Sequence, residues 1–198
     1  ESGGRDSDFF FMHRRGEEEI RETIEELVTG RLESYYDFVR GNGDIQVLTP
    51  TRKGGLGTAS LNEMLQSIIN PVSEEINERK FGSKVFREGD KVMQIRNNYQ
   101  MEWQQLGRQS GRGIFNGDMG VINTIDNAKM VVDFDGRFVT YDSEEFDELE
   151  LAYAVTVHKS QGCEFPVVIV PIAGFPPMLA TRNLLYTAIT RGKKLVIL

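Results

Sequence analysis

The sequence predicts an α/β fold: a parallel sheet covered by helices and interrupted by a small inserted β-barrel. Three observations predict it. The first 70 residues alternate short apolar runs with helix-period segments. Residues 86–151 change to short strand signals separated by turn pairs. From residue 151 the strand–helix–strand pattern returns. The expected division is therefore 1–81 with 149–198 as one discontinuous domain and 82–148 as the insert.

Residues 8–12 (DFFFM) form a compact apolar run that reads as a buried strand. Ile20, Ile24, Leu27, Val28, Leu32, Tyr35 and Val39 then recur at helical spacing, with charges between them, and Gly41-Asn42-Gly43 stops that pattern. A second strand is expected at 44–49 (DIQVLT), followed by the glycine-rich turn PTRKGGLGT. A helix over 59–70 would bury Leu61, Met64, Leu65, Ile68 and Ile69. In the middle of the chain KVMQIR, DMGVINTI, KMVVDF and RFVTYD read as strands, divided by Asn116-Gly117, Asp126-Asn127 and Asp135-Gly136. Residues 100–113 (QMEWQQLGRQSGRG) show no clear period and read as a long loop between two of them. Toward the end, LAYAV is a strand whose following TVHKSQG turns toward a short helix. PVVIVPI is a buried strand, 182–190 a helix and KKLVIL the closing strand.

Composition narrows the function. A net charge of −7 argues against binding nucleic acid by bulk attraction, but the charge is unevenly spread. Residues 79–113 hold eight basic and three acidic side chains, whereas 133–150 hold one basic and eight acidic. The acidic runs, including Glu17, Glu18, Glu19, Glu22, Glu25 and Glu26, read as solvated faces. The basic stretch interleaves Tyr99 and the only tryptophan, Trp103, with Arg96, Arg108 and Arg112, a mixture that suits a base-stacking, backbone-tracking surface. No run reaches the roughly 20 apolar residues of a membrane span. A single cysteine leaves no internal disulfide, which fits a reducing cytosol. The chain begins with Glu1 instead of methionine, so a fragment is expected.

One stretch, TVHKSQGCEF (156–165), concentrates reactive side chains. A thiol nucleophile would need a base oriented against Cys163, but His158 shares its short segment and His13 is remote. One cysteine and two histidines close no zinc site, and no metal ligand set is expected. A phosphate-handling turn fits better. Placed after a strand and before a helix, its backbone N–H groups would attract anions. Thr156, Ser160 and Gln161 supply donors, Lys159 supplies charge, and Gly162 permits close approach. LLYTAITRGKK (184–194) puts Arg191 at a helix end, where it either complements the dipole or serves a ligand. LTPTRKGGLGT (48–58) is a third strand-end turn. All three sit beside strand ends of one sheet, where open α/β folds bind ligands.

Taken in order, "VLTPTRKGGLGTASLN", "AYAVTVHKSQGCEFPVVIV" and "NLLYTAITRGKKLVIL" resemble motifs IV, V and VI of the second RecA-like motor domain of superfamily 1 DNA helicases. "FREGDKVMQIRNNY", "FNGDMGVI", "VVDFDGRFVTY" and "FDELELAYA" resemble the inserted Src-homology-3-like barrel of the RecD-like and TraA-like branch. The resemblance covers nearly the whole chain. It implies a RecA-like parallel sheet with Arg191 as the arginine finger on the γ-phosphate. It also implies that Gly162 and Glu164 approach the nucleotide, Glu164 through the ribose, and that Arg52 is a second phosphate contact. Thr156, His158 and Ser160 would lie near the single strand, with Tyr99, Trp103 and Arg108 as a second DNA contact on the barrel.

The resemblance further implies 5′-to-3′ translocation on single-stranded DNA and duplex unwinding, in the bacterial cytoplasm at the nucleoid. ATP and Mg²⁺ would be held mainly by a first motor domain, and the parent protein would work alone, in a recombination complex or fused to a relaxase. Two departures stand out: Gln161 replaces a common lysine, and Gly192 replaces the alanine that often follows the finger, which would loosen the helix end. The chain has neither a GxxxxGK[ST] loop nor an Asp-Glu pair ending an apolar strand, so it is expected to be inactive by itself. The alternative reading is a non-catalytic DNA- or partner-binding module derived from such a motor domain.

Overall fold

The computed structural model describes residues 8–32, 45–105, 107, 109–126, 128–173 and 181–198. Two compact units account for them, Glu1–Ile69 with Tyr153–Leu198, and Asn70–Ala152. Sequence reading puts these boundaries at 82 and 148. The wider second unit includes the hairpin of β3 (Glu78–Phe81) and β4 (Lys84–Arg87), which pair with each other.

The first unit is a five-stranded, wholly parallel sheet. β1 (Phe9–Phe10) lies beside β14 (Gly192–Ile197), followed by β13 (Phe165–Ile169), β2 (Ile45–Thr49) and β12 (Ala154–Thr156). The aliphatic side chains that make these segments read as strands fill its core: Val47, Leu48, Val167, Val168, Ile169 and Leu195 are all buried. The opening FFF run departs from expectation. It forms the sheet's edge, and Phe9 and Phe11 are exposed instead of buried.

Helix α1 (Gly16–Glu26) turns its glutamates to solvent and buries Ile24, and Glu19 reaches back to accept from the Arg15 backbone N–H at 2.7 Å. It widens into a π-turn over Leu27–Arg31 that keeps Leu27, Val28 and Leu32 buried. The expected continuation through Tyr35 and Val39 to the Gly41 stop lies outside the described residues. Helix α2 (Thr58–Ile69) buries Leu61 and Leu65, and α3 (Arg182–Ile189) precedes β14. Among the described residues no helix is long and apolar enough to cross a membrane.

The second unit is a seven-stranded antiparallel sheet. Its order is β11 (Leu149–Leu151), β5 (Lys91–Gln94), β8 (Met119–Ile125), β9 (Lys129–Phe134), β10 (Arg137–Asp142), β6 (Asn98–Gln105) and β7 (Ser110–Ile114). Leu149 from one border strand and Ile114 from the other enter the same buried cluster as Val132, Val139 and Tyr141, so the sheet curls around its core. Residues 100–113 are therefore a hairpin and not a loop: Glu102, Trp103 and Gln104 pair with Arg112, Gly111 and Ser110. Their alternation escapes notice because only Met101 and Trp103 are apolar on the inward face.

The LAYAV run also divides. Leu149–Leu151 pairs antiparallel with β5 in the second unit, whereas Ala154–Thr156 pairs parallel with β2 in the first. The acidic segment 142–150 is more than a solvated edge. Asp142 and Glu145 form a capping box, Asp147 pairs with Arg96 at 2.8 Å, and Glu148 accepts from Gln94 Nε2 at 2.7 Å. The Tyr141 hydroxyl donates to Gln94 Oε1 at 2.8 Å, and its pKa is raised by burial and by the nearby Glu148.

Candidate functional site

Thr181 caps α3, its hydroxyl accepting from the Leu184 N–H at 3.2 Å, and the helix ends where Thr190 N–H donates to the Tyr186 carbonyl at 3.0 Å. Arg191 follows immediately. Its Nε donates to the Thr187 carbonyl at 3.2 Å, its Nη1 to the Cys163 carbonyl at 3.1 Å and its Nη2 to Thr190 Oγ1 at 3.3 Å. Its own carbonyl accepts from the Phe165 N–H at 2.8 Å. Arg191 thus caps its own helix and also binds the segment before the neighbouring strand. A guanidinium has five N–H donors, and three of Arg191's are engaged in these bonds.

Beside it, Glu164 Oε2 lies 2.8 Å from Lys193 Nζ. The Lys193 hydrogen bond and its charge, with a smaller contribution from Arg191, hold the Glu164 carboxyl below its ordinary range. Both side chains of the pair are more than half exposed, so the pair orients Glu164 and adds little stability. Gly192, expected to loosen the helix end, instead begins β14 in a crowded position: a Cβ there would lie 2.5 Å from Val196 Cγ2.

Residues 157–162 form consecutive turns, not a helix. The Ser160 N–H donates to the Thr156 carbonyl, Gln161 N–H to His158 and Cys163 N–H to Ser160, while Lys159 N–H donates to Thr156 Oγ1. The helix-dipole argument for anion binding here therefore falls. Ser160 is fully buried and its hydroxyl donates to the Val157 carbonyl at 2.8 Å, so it shapes the turn and presents no group outward. His158 and Gly162 are exposed and Thr156 is half-buried. Gly162 has φ +87° with open space around its Cβ position, so backbone conformation alone selects glycine there.

The glycine-rich turn after β2 is held from inside and from α1. Thr49 Oγ1 donates to the Leu56 carbonyl at 2.7 Å, and Arg21 Nη1 donates to both the Gly55 carbonyl and Ser60 Oγ at 2.7 Å. Arg52 is exposed on this turn. Parallel pairing puts this turn, and the one after Thr156, at the carboxyl edge of the sheet. Glu164 and Arg191 precede β13 and β14 and so lie at the amino edge. The three motifs therefore occupy two ends of the sheet, not one. With Thr156 level with Thr49 and Val167 level with Ile45, segment 157–164 spans roughly 20 Å of sheet height.

A residue that sequence reading missed fixes where that segment starts. Asn62 of α2 donates through Nδ2 to the Ala154 carbonyl at 2.8 Å and accepts from the Ala154 N–H at 2.8 Å. Its amide imitates a neighbouring strand along the open side of edge strand β12. Nothing in a lone helical asparagine signals this.

In the second unit Tyr99 is exposed and meets Phe115 edge-on, with centroids 5.6 Å apart. Phe115, also exposed, was not singled out from sequence; its place after a turn-flanked strand gave no signal. Trp103 is not an open platform: it packs on the barrel core with its ring against Gly111. Arg108 lies outside the described residues. Arg96 and Arg112 are paired with Asp147 and Glu102, which reduces the net positive field of this face. Among the described residues no group of His, Cys, Asp or Glu side chains converges as a metal site.

Comparison with known proteins matches residues 61–134 to the ATP-dependent RecD-like DNA helicase SH3 domain and residues 151–198 to the UvrD-like helicase C-terminal domain. The chain is 40% identical over 154 residues to the ATP-dependent RecD2 DNA helicase of Deinococcus radiodurans, covering 77% of this chain and 19% of that protein. It is 31% identical over 149 residues to the RecBCD enzyme subunit RecD of Mycolicibacterium smegmatis, covering 75% of this chain and 24% of that one. It thus spans about a quarter or less of these relatives. The Pif1 helicase from Bacteroides in complex with ADP-AlF3 and ssDNA shares the fold, with a TM-score of 0.52 at 19% identity over 92% of this chain and 45% of that one. Two family models in the expected order agree with these relatives: the chain belongs to the RecD-like superfamily 1B helicases, as their C-terminal domain with its SH3-like insertion.

Proposed function

We propose that the protein carrying this chain is an ATP-dependent DNA helicase that translocates 5′ to 3′ on single-stranded DNA and unwinds duplex. In this reading the chain is the C-terminal part of the motor, and a first motor domain holds most of ATP and its Mg²⁺. Arg191 places its guanidinium on the γ-phosphate, Glu164 meets the ribose, Gly162 lets the backbone approach, and Arg52 adds a phosphate contact. Thr156 and His158 face the single strand, and Tyr99 stacks on bases at the barrel. Ser160 supports them by holding the turn. The donor set fits a nucleotide, with a fixed guanidinium for phosphate and an ionised carboxylate for hydroxyls. No step through Mg²⁺ is assigned to this chain, which offers no convergent ligands for it among the described residues.

The observation that carries the reading is the path of residues 156–164, which links the carboxyl edge of the sheet to the amino edge where Cys163 receives Arg191. A strand-facing turn and a nucleotide-facing arginine joined by eight residues can exchange strain, which is what coupling hydrolysis to movement needs. Capture of Bacteroides Pif1 with ssDNA supports a nucleic-acid role for the shared fold. The proposed setting is the bacterial cytoplasm at the nucleoid, with the protein working alone or within a recombination complex.

The test is Arg191→Ala in the full-length protein. Single-strand-stimulated ATP turnover should fall on the order of 10³-fold, with DNA affinity kept. Undiminished turnover would overturn the assignment. Residues 1–198 alone should show no DNA-stimulated ATPase.

A further inference from the structure

The register of β13 against β14 sets Phe165 opposite Gly192, so Glu164, just before β13, meets the start of β14, where Arg191 and Lys193 flank Gly192. The two cations are used differently. Arg191 directs its guanidinium to the backbone carbonyl of Cys163, while Lys193 takes the Glu164 carboxylate itself at 2.8 Å. The Phe165 N–H to Arg191 carbonyl bond, at 2.8 Å, pins the backbones of both segments, so the two side chains start from neighbouring, fixed positions.

We infer that Lys193 is a positioning residue for Glu164, holding its carboxylate ready to accept hydrogen bonds from the hydroxyls of a ribonucleotide's sugar. The inference rests on the reading above that Glu164 meets the nucleotide. A glutamate has several rotors, and ordering it only on binding costs affinity; holding it beforehand reduces that cost. Two sugar hydroxyls can engage both carboxylate oxygens, whereas a deoxyribose offers one fewer. The same pair therefore sets a preference for ribo- over deoxyribonucleotides. Lys193 touches neither phosphate nor sugar in this scheme, so its removal acts on nucleotide binding and leaves turnover alone.

The test compares Lys193→Met, Lys193→Arg and Glu164→Ala in the full-length protein, with ATP and dATP as substrates on single-stranded DNA. Lys193→Met should raise KM for ATP about two- to fivefold, the scale of an exposed ion pair, with kcat within twofold and the ATP-to-dATP preference narrowed. Lys193→Arg should restore both. If Lys193→Met leaves KM unchanged while Glu164→Ala raises it, the positioning role is wrong and the nucleotide contact stands. If Glu164→Ala also leaves KM unchanged, the nucleotide contact itself fails and the inference goes with it. A fall in kcat at constant KM for Lys193→Met would place the lysine on the reacting phosphates and overturn the positioning role.

Discussion

Arg191 Nη1 donates to the Cys163 carbonyl at 3.1 Å, joining the end of α3 to the last residues before β13. The contact uses the fork of the guanidinium: Nε and Nη2 are anchored on Thr187 and Thr190 while Nη1 crosses to the next strand. A lysine offers one point of attachment and cannot hold both segments, least of all in the proposed role at a phosphate. Arg191→Lys in the full-length protein is therefore expected to lose nearly as much ATP turnover as Arg191→Ala, despite keeping the charge. Retention of more than about a tenth of the activity, in steady-state hydrolysis assays, would show that charge alone suffices.

Asn62 offers a stability prediction independent of any ligand. It satisfies both the N–H and the carbonyl of Ala154 from a buried position. Asn62→Ala strands two buried backbone groups and should destabilise the first unit by about 2–4 kcal/mol. Urea unfolding of the 198-residue chain should show a lower midpoint for this variant. Asn62→Asp should be at least as harmful near neutral pH, since a carboxylate oxygen would face the Ala154 carbonyl. A shift under about 0.5 kcal/mol for both would remove the clamp from the account.

These two relationships mark what the sequence discloses and what it hides. The parallel sheet is legible because Val47, Leu48, Val167 and Val168 stand in uninterrupted apolar runs, the signature of strands buried on both faces. Helix α3 is legible from the spacing of Leu184, Leu185, Ala188 and Ile189. Hairpin 98–114 is hidden because polar residues, charged residues and glycines together occupy most of its positions, so the alternation reduces to Met101 and Trp103. The separation of Arg191 and Thr156 to opposite sheet edges follows from chain order, since Arg191 precedes its strand and Thr156 ends one in a parallel sheet; the register between those strands is what local composition does not encode. Asn62 is invisible because its importance comes from β12 being an edge strand.

Gly192 tests a close approach. A methyl group at this position would lie 2.5 Å from Val196 Cγ2 and 3.2 Å from the Leu195 carbonyl oxygen. Gly192→Ala should destabilise by about 1–3 kcal/mol, the usual cost of overpacking. Adding Val196→Ala should recover part of that loss, so the double variant is more stable than the sum of the two singles. Additivity in a double-mutant cycle by thermal or urea unfolding would show that the crowding is relieved some other way.

The barrel aromatics should separate by function. Trp103 packs on the core, so Trp103→Ala is expected to cost about 2–3 kcal/mol of stability, somewhat less than a fully buried tryptophan. Tyr99 stands exposed with Phe115, and Tyr99→Ala should leave stability within about 0.5 kcal/mol. In the full-length protein Tyr99→Ala should nonetheless weaken single-strand binding by about 1 kcal/mol or more if a base stacks there. Fluorescence anisotropy with labelled oligonucleotides reads the second effect and urea unfolding the first. Equal affinity for wild type and Tyr99→Ala across a salt series would exclude stacking at this pair.

Glu88 gives the barrel a defined acid response. Its Oε1 accepts from the Ile125 N–H at 2.7 Å and from Asn77 Nδ2 at 3.1 Å, and its Oε2 accepts from the Asn77 N–H at 3.2 Å. Burial pushes this carboxyl up, but the bonds from Ile125 and Asn77 together outweigh it and leave the group below its ordinary range. The folded state therefore releases this proton more readily than the unfolded chain. The resulting stability is fully present above the unfolded-state pKa and lost as pH falls through the lower, folded one. Glu88→Gln keeps an acceptor but cannot titrate, and should cost about 1 kcal/mol at neutral pH. The gap between wild type and variant should then narrow steadily as the pH drops through the carboxylate range. Asp126, also held low by the Ala128 and Lys129 N–H groups, titrates in both proteins and cancels from the difference. Urea midpoints measured in parallel from neutral to acid pH would show this convergence; a gap that stays constant would mean that Glu88 contributes through geometry and not through its charge.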